Sequence, residues 1–187
     1  MNFQDTQLIG VLARAESTVS SLSDLLGGLV EKFAARGYSL YLVGGSVRDA
    51  LLGRLGNDLD FTTPARPEVV KEILDEWAET VWDTGIDFGT VSAAYKGQQI
   101  EITTFRSDSY DGQSRNPEVV YGDTLEGDLV RRDFKANAMA IELLADASFK
   151  FHDPLHGLQD IADRVLDTPD KPEISFHDDP LRMLRAA

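Results

Sequence analysis

The sequence predicts an α+β domain, on three observations. Helical and strand-like stretches follow one another along 187 residues, a length that suits one domain or slightly more. Two β-rich runs, 90–95 and 98–105, flank Lys96-Gly97 in the manner of a hairpin. A short apolar strand runs into Gly44-Gly45-Ser46 and then a helix, and a second strand carrying Asp58 and Asp60 follows.

Residues 1–37 read as helical, with apolar spacing through Leu22, Leu25, Leu26, Leu29, Val30 and Phe33, and Gly37 as the stop. Residues 39–43 form a strand, 47–52 a helix closed by Gly53, and 59–62 a second strand. Pro67 opens a helix to about residue 79, where its missing N–H does no harm. After the hairpin, 107–122 is polar and rich in Asp, Ser, Gly, Asn and Pro, and reads as a long mobile loop. Residues 124–143 start helical, with the helix continuing past Asn137, and finish as a strand. A strand at 149–151, a helix at 155–163 and a proline-rich linker at 168–175 follow. Asp178 or Asp179 begins a last helix with Pro180 in its first turn. That helix carries Leu181 and Leu184 to the final Ala187 without a capping glycine, so the expectation is an N-terminal fragment of a longer protein.

Composition bounds the function. The chain is 42% hydrophobic and 27% charged, with no cysteine, which excludes disulfides and thiolate metal sites and is compatible with the cytoplasm. No apolar run is long enough to span a membrane, and the N-terminus lacks the pattern of a secretory signal. The net charge of -14 argues against a generic nucleic-acid binder. Contact with a polyanion would need local arginines, bound metal or further sequence.

Asp58 and Asp60 lie at i and i+2 on a strand, so they share a face. Two carboxylates that close repel unless a cation sits between them, and Mg²⁺ takes one or two carboxylates plus substrate phosphates. The plain alternative is a polar turn. Glu101, between Ile100 and Ile102, is either solvent-facing or a third carboxylate for a two-metal site. Gly44, Gly45 and Ser46 allow backbone to approach phosphate, and Arg48 in the following helix can reach a triphosphate. This is neither a Walker A loop nor a dinucleotide fingerprint. Asp49 is a helix-start charge or the partner of a nearby arginine. Arg131 and Arg132 point about 100° apart on a helix, one toward phosphate and the other toward an internal acid, or they form a surface ion-pair patch. Asp179, Arg182 and Arg185 recur at three-residue spacing. They form either an intrahelical salt bridge or a reader of the donor–acceptor edge that cytosine and adenine share. His152, His156 and His177 lack metal spacing, and Trp77 and Trp82 read as core.

Together these stretches resemble the class II tRNA nucleotidyltransferase and poly(A) polymerase family. The match runs from about residue 38 to the end, through GGSVRDALLGRLGNDLDFTT, DLVRRDFKANAMAIEL, DPLHGLQDIADRVL and DDPLR. The segment SDSYDGQSRNPEVVYGDTLEGDL is similar to actinobacterial members. The resemblance implies a polymerase-β-like nucleotidyltransferase head, a mixed sheet flanked by helices. It divides the chain into an N-terminal helical segment at 1–37, the catalytic head at 38–167 and the start of a helical neck at 168–187.

The resemblance also implies a site. Asp58 and Asp60, with Glu101, would bind Mg²⁺. Gly45 and Arg48 would contact the triphosphate, and Arg132, with Arg131 near it, the nucleotide. Asp153 and Gly157 match the hinge motif. Asp179 and Arg182 would pair with the bases of CTP and ATP, with Arg185 assisting. The implied reaction adds CMP and AMP to the 3′ end of tRNA, mostly through tRNA contacts in domains absent here. A poly(A) polymerase, a CC- or A-only enzyme and a nucleotide-binding fragment are the rivals. Oligomeric state is left open. Lys135 and Ala136 depart from the family pattern, in which a threonine and a larger aliphatic residue stand, and Asp178 replaces the usual glutamate.

Overall fold

A computed structural model describes residues 3–109 and 118–187. Helix α1 (Phe3–Ala35) leads into strand β1 (Leu40–Val43), helix α2 (Gly44–Leu51), strand β2 (Asp58–Thr63), helix α3 (Pro67–Asp75) and strand β3 (Thr80–Trp82). The hairpin of β4 (Thr90–Tyr95) and β5 (Gln98–Thr104) comes next, then a ribbon of β6 (Arg106–Ser109) and β7 (Glu118–Tyr121). Helix α4 (Leu125–Val130), strands β8 (Ala140–Leu143) and β9 (Phe149–His152), and helices α5 (Gly157–Asp163), α6 (Pro172–Asp178) and α7 (Leu181–Ala186) complete the order.

Among the described residues, seven strands form one mixed sheet in the order β3-β4-β5-β2-β1-β8-β9. β2 and β5 are parallel, and the other neighbours are antiparallel. The sequence-based expectation of a mixed sheet with helices holds. Alternation along the strands decides what faces where. Leu59 and Phe61 of β2, and Ile100 and Ile102 of β5, are buried. They pack with Leu22, Leu26, Leu29 and Phe33 of α1 and with Val70, Ile73 and Leu74 of α3. Asp58, Asp60 and Glu101 therefore point to the other face. A second cluster of Val43, Phe105, Leu125, Leu129, Ala138 and Ala140 seats α4 on that side. Gly37 ends α1 in the left-handed region at φ 78°, and Tyr38 N–H donates to the Phe33 carbonyl at 3.0 Å.

Several expectations need correction. Helix α2 starts at Gly44, so the glycines belong to its first turn rather than to a preceding loop. α3 stops at Asp75, and the short β3 follows it. The flanks of the expected loop pair as strands, Arg106 with Tyr121 through Ser109 with Glu118; residues 110–117 lie outside the described residues. The helix expected past Asn137 ends at Val130. Beyond it the Asp133 carboxylate accepts the Phe134 N–H at 2.8 Å, and Phe134 is extended. A short side chain that captures its neighbour's backbone competes with helix. One turn of 3-10 helix, Lys135–Asn137, is all that follows. The proline-rich stretch expected as a linker, 168–175, runs into α6, with Pro172 at its first position, where a missing N–H is harmless, and the last helix starts at Leu181 after Pro180 as its N-cap, not at Asp178 or Asp179. Trp77 is partly buried and stacks on Tyr95, ring centroids 4.0 Å apart.

Candidate active site

The sheet brings the carboxylates together. In the parallel pairing of β2 with β5, Asp60 lies beside Glu101 and Asp58 beside Gln99. The three acids therefore share two adjacent strands and one face. Crowding of the Asp60 carboxyl by protein and the negative charges of Glu101 and Asp58 push it above its ordinary value, against the pull of Arg132. Glu101 accepts from Gln99 Nε2 at 3.4 Å, and among the described residues no three acidic or histidine side chains are gathered into one ligand group. The donor set still fits Mg²⁺, which needs only one or two carboxylates and completes its shell with phosphate and water.

Helix α2 meets these acids end-on. Gly44 has φ 66°, a region that L side chains rarely adopt. A Cβ there would lie 3.1 Å from Arg132 Nη1 and 3.8 Å from Asp60 Oδ2. Glycine thus lets a guanidinium, a carboxylate and the helix start approach one another. Ser46 is buried, and its hydroxyl is spent on the strand: it donates to the Asp58 carbonyl at 3.3 Å and accepts the Asp60 N–H at 3.0 Å. It fixes the acidic strand against α2 rather than lying open to a ligand.

Arg48 donates from Nε and Nη2 to the two oxygens of Asp49, at 3.0 and 3.1 Å, and from Nη1 to Asn137 Oδ1 at 2.7 Å. Asp49 also accepts from Arg54 Nε at 3.1 Å. Burial opposes ionisation of Asp49, but Arg48 and Arg54 hold its carboxyl below the ordinary range. Asp49 is thus the arginine's partner. A guanidinium has five N–H donors, so Arg48 keeps two beyond these bonds.

Arg131 and Arg132 converge on Asp128, which the sequence reading missed. Asp128 Oδ1 accepts from Arg131 Nη2 at 2.8 Å, and Oδ2 from Arg132 Nη2 at 2.9 Å. Its side chain is 0% exposed. Burial alone would raise its pKa; the charges and hydrogen bonds of Arg132 and Arg131 outweigh that and hold it below the ordinary carboxylate range. The signal was present, since Asp128 precedes the two arginines by three and four residues on the end of a helix.

A polar chain continues from Arg48. Asn137 Nδ2 donates to Asp133 Oδ1 at 3.0 Å. Arg185 donates from Nε to Asp133 Oδ2 and from Nη2 to Asp179 Oδ2, both at 3.0 Å. Burial works against Asp133, but hydrogen bonds from Asn137, Arg185 and the Phe134 N–H keep its carboxyl below the ordinary range. Asp179 therefore pairs with Arg185. Arg182 is buried, donating from Nη1 to Ser175 Oγ at 2.7 Å and from Nη2 to the Arg131 carbonyl at 3.0 Å. Of the salt bridge weighed among Asp179, Arg182 and Arg185, the Asp179–Arg185 pair forms and Arg182 takes no part in it.

The hinge residues do not join the carboxylates. Asp153 accepts the Gly157 and Leu158 N–H groups at 2.7 and 3.0 Å and so caps α5. Gly157 packs against the Lys135 carbonyl so closely that a Cβ would come within 2.1 Å of its oxygen. Lys135 bonds the Asp167 carboxylate and donates its N–H to the Asp167 carbonyl at 2.9 Å.

Residues 40–167 match the family described as the poly A polymerase head domain. A CCA-adding enzyme of Listeria innocua is 42% identical over 159 residues, covering 84% of this chain and 38% of the relative. The Bacillus stearothermophilus CCA-adding enzyme, solved in complex with CTP, is similar in structure with a TM-score of 0.70 and 36% identity over 88% of this chain and 38% of that one. A tRNA nucleotidyltransferase complexed with a primer tRNA and an incoming ATP analogue superposes with a TM-score of 0.68 and 31% identity, over 90% and 43% of the two chains. The chain thus spans about two fifths of the length of these relatives, and with more than half of it matched by the family model, it belongs to the poly A polymerase head domain family.

Proposed function

We propose that this chain is the catalytic head of a CCA-adding tRNA nucleotidyltransferase acting in the cytoplasm on CTP, ATP and the 3′ end of tRNA. The observation that carries the reading is the register of β2 and β5, which sets Asp60 beside Glu101 at the glycine start of α2 and within reach of Arg132. The CCA-adding relatives support this chemistry over a poly(A) polymerase on the same head.

In this reading Asp58 and Asp60 would hold Mg²⁺, with Glu101 as the third acid. A divalent ion supplies charge neutralisation at the transferred phosphoryl group and a more acidic attacking hydroxyl. The chain does the positioning. Gly44 and Gly45 let backbone approach the phosphates, and Arg48 and Arg132 offset their charge. Asp179, with Arg185, would select the base by its donor–acceptor edge, while the buried Arg182 holds the segment that carries them against Ser175 and the Arg131 carbonyl. The tRNA 3′-oxygen attacks the α-phosphorus, the bond to the β-phosphate oxygen breaks, and pyrophosphate leaves with the electron pair. Catalysis rests on placement and electrostatics, without a covalent enzyme intermediate.

The test is incubation with tRNAs lacking one, two or three terminal nucleotides. The expected products stop at CCA and need both CTP and ATP. Long A tails assign a poly(A) polymerase. Binding of CTP and ATP with no extension would mark this chain as a nucleotide-binding piece of a larger enzyme.

A further inference from the structure

We propose that Asn137 is a positioning residue that ties the phosphate-side arginine, Arg48, to the base-selecting acid, Asp179, so that the two ends of a nucleotide are read as one object. The proposal rests on the reading of the site given above.

The connection is continuous. It runs from Arg48 to Asn137, to Asp133, to Arg185 and to Asp179, with donor–acceptor distances of 2.7, 3.0, 3.0 and 3.0 Å. The first link spans 89 positions in sequence and the third 52. It therefore joins α2, the 3-10 turn and α7, elements that meet nowhere along the chain.

The chemistry of each link selects an amide at position 137. Its oxygen must accept from a guanidinium while its nitrogen donates to a carboxylate. Reversing the amide would set NH₂ against Arg48 and carbonyl against Asp133. A carboxylate would repel Asp133, and a cation would repel Arg48. Both neighbours are charged, which strengthens each bond.

The turn that carries Asn137 is also fixed. Its N–H donates to the Phe134 carbonyl at 2.9 Å, and Lys135 is clamped to Asp167 on one side and to the close-packed Gly157 on the other. With that turn fixed, Arg48 and Asp179 keep a set separation. A ligand that reaches both gains additional base preference when its phosphates occupy the Arg48 end.

Calorimetric titration in Mg²⁺ tests this. The unmodified chain is expected to prefer CTP over UTP by more than it prefers CMP over UMP. In Asn137→Ala the CTP-over-UTP preference should fall by roughly tenfold, a usual size for coupling between sites, toward the monophosphate ratio. The affinity for CMP should stay the same. Asn137→Asp is isosteric, keeps the acceptor for Arg48 and loses the donor to Asp133. It should behave like the alanine variant, and it carries the test if that variant does not fold. A CTP-over-UTP preference that survives both substitutions overturns the coupling, as does an equal loss of CTP and CMP affinity. Failure of the unmodified chain to prefer CTP over UTP would instead overturn the functional reading beneath it.

Discussion

At the scale of single residues, two aspartates carry opposite signatures. Asp128 is a buried charge satisfied by two arginines, and Asp60 is a charge held beside two others of its own sign. Removing one partner of a buried pair strands the rest, at a cost of about 3–5 kcal/mol. Asp128→Ala should therefore lower the urea-derived stability by about that amount; a loss within about 0.5 kcal/mol, usual for a surface site, would remove Asp128 from the role of anchor. Its folded pKa lies below the unfolded value of about 3.9. Its contribution is therefore complete at neutral pH and drains away as pH falls through and below that value. Asp60 has the reverse sign. With its folded pKa raised, ionisation favours the unfolded chain, and stability falls as pH rises from the unfolded value through the folded one. Asp60→Asn should raise the melting temperature of the metal-free protein at neutral pH. An unchanged or lower value would mean that the acids do not strain one another.

Among the elements, glycines separate places where the backbone is needed from places where it is merely tolerated. Gly157 is needed: a Cβ would press on the Lys135 carbonyl, which belongs to the same turn as Asn137. Gly27 lies within α1 with nothing within 4 Å of an added Cβ. Gly27→Ala should stabilise the protein by about 0.5–1 kcal/mol through helix propensity, and Gly157→Ala should destabilise it by more than about 1 kcal/mol, as overpacking does. Paired urea denaturation checks both signs, and the same sign for both would undo the distinction.

The same scale explains what was legible in the sequence. Alternation placed Asp58, Asp60 and Glu101 on one face because Ile100 and Ile102, like Leu59 and Phe61, had to be buried. The helix expected through Asn137 failed because local spacing could not reveal that Asp133 would capture the Phe134 N–H and that Asp167 would capture Lys135. Of the two readings of Asp179, Arg182 and Arg185, an ion pair forms between Asp179 and Arg185, while Ser175 and the Arg131 carbonyl, brought in by folding, take up Arg182. Asp128 was within reach of a helical-spacing argument, whereas the link through Asn137 spans 89 residues and was not.

For the whole molecule, the acidic balance and the proposed ligands are reconciled by placement. The chain carries a net charge of -14, and Arg48, Arg131, Arg132 and Arg185 are all held by aspartates, namely Asp49, Asp128, Asp133 and Asp179. On the proposed function, binding a triphosphate would therefore depend on a cation at Asp58 and Asp60 more than on spare positive charge. At that net charge, long-range electrostatics repels a polyanion. The most direct measurement is a calorimetric titration of CTP in Mg²⁺ and in EDTA, on the unmodified chain and on Asp60→Asn. Binding that needs Mg²⁺ and is lost in Asp60→Asn, in a variant at least as stable as the original, is the predicted result. CTP binding of equal strength in EDTA, or unchanged by Asp60→Asn, would contradict a metal-dependent nucleotide site on these strands.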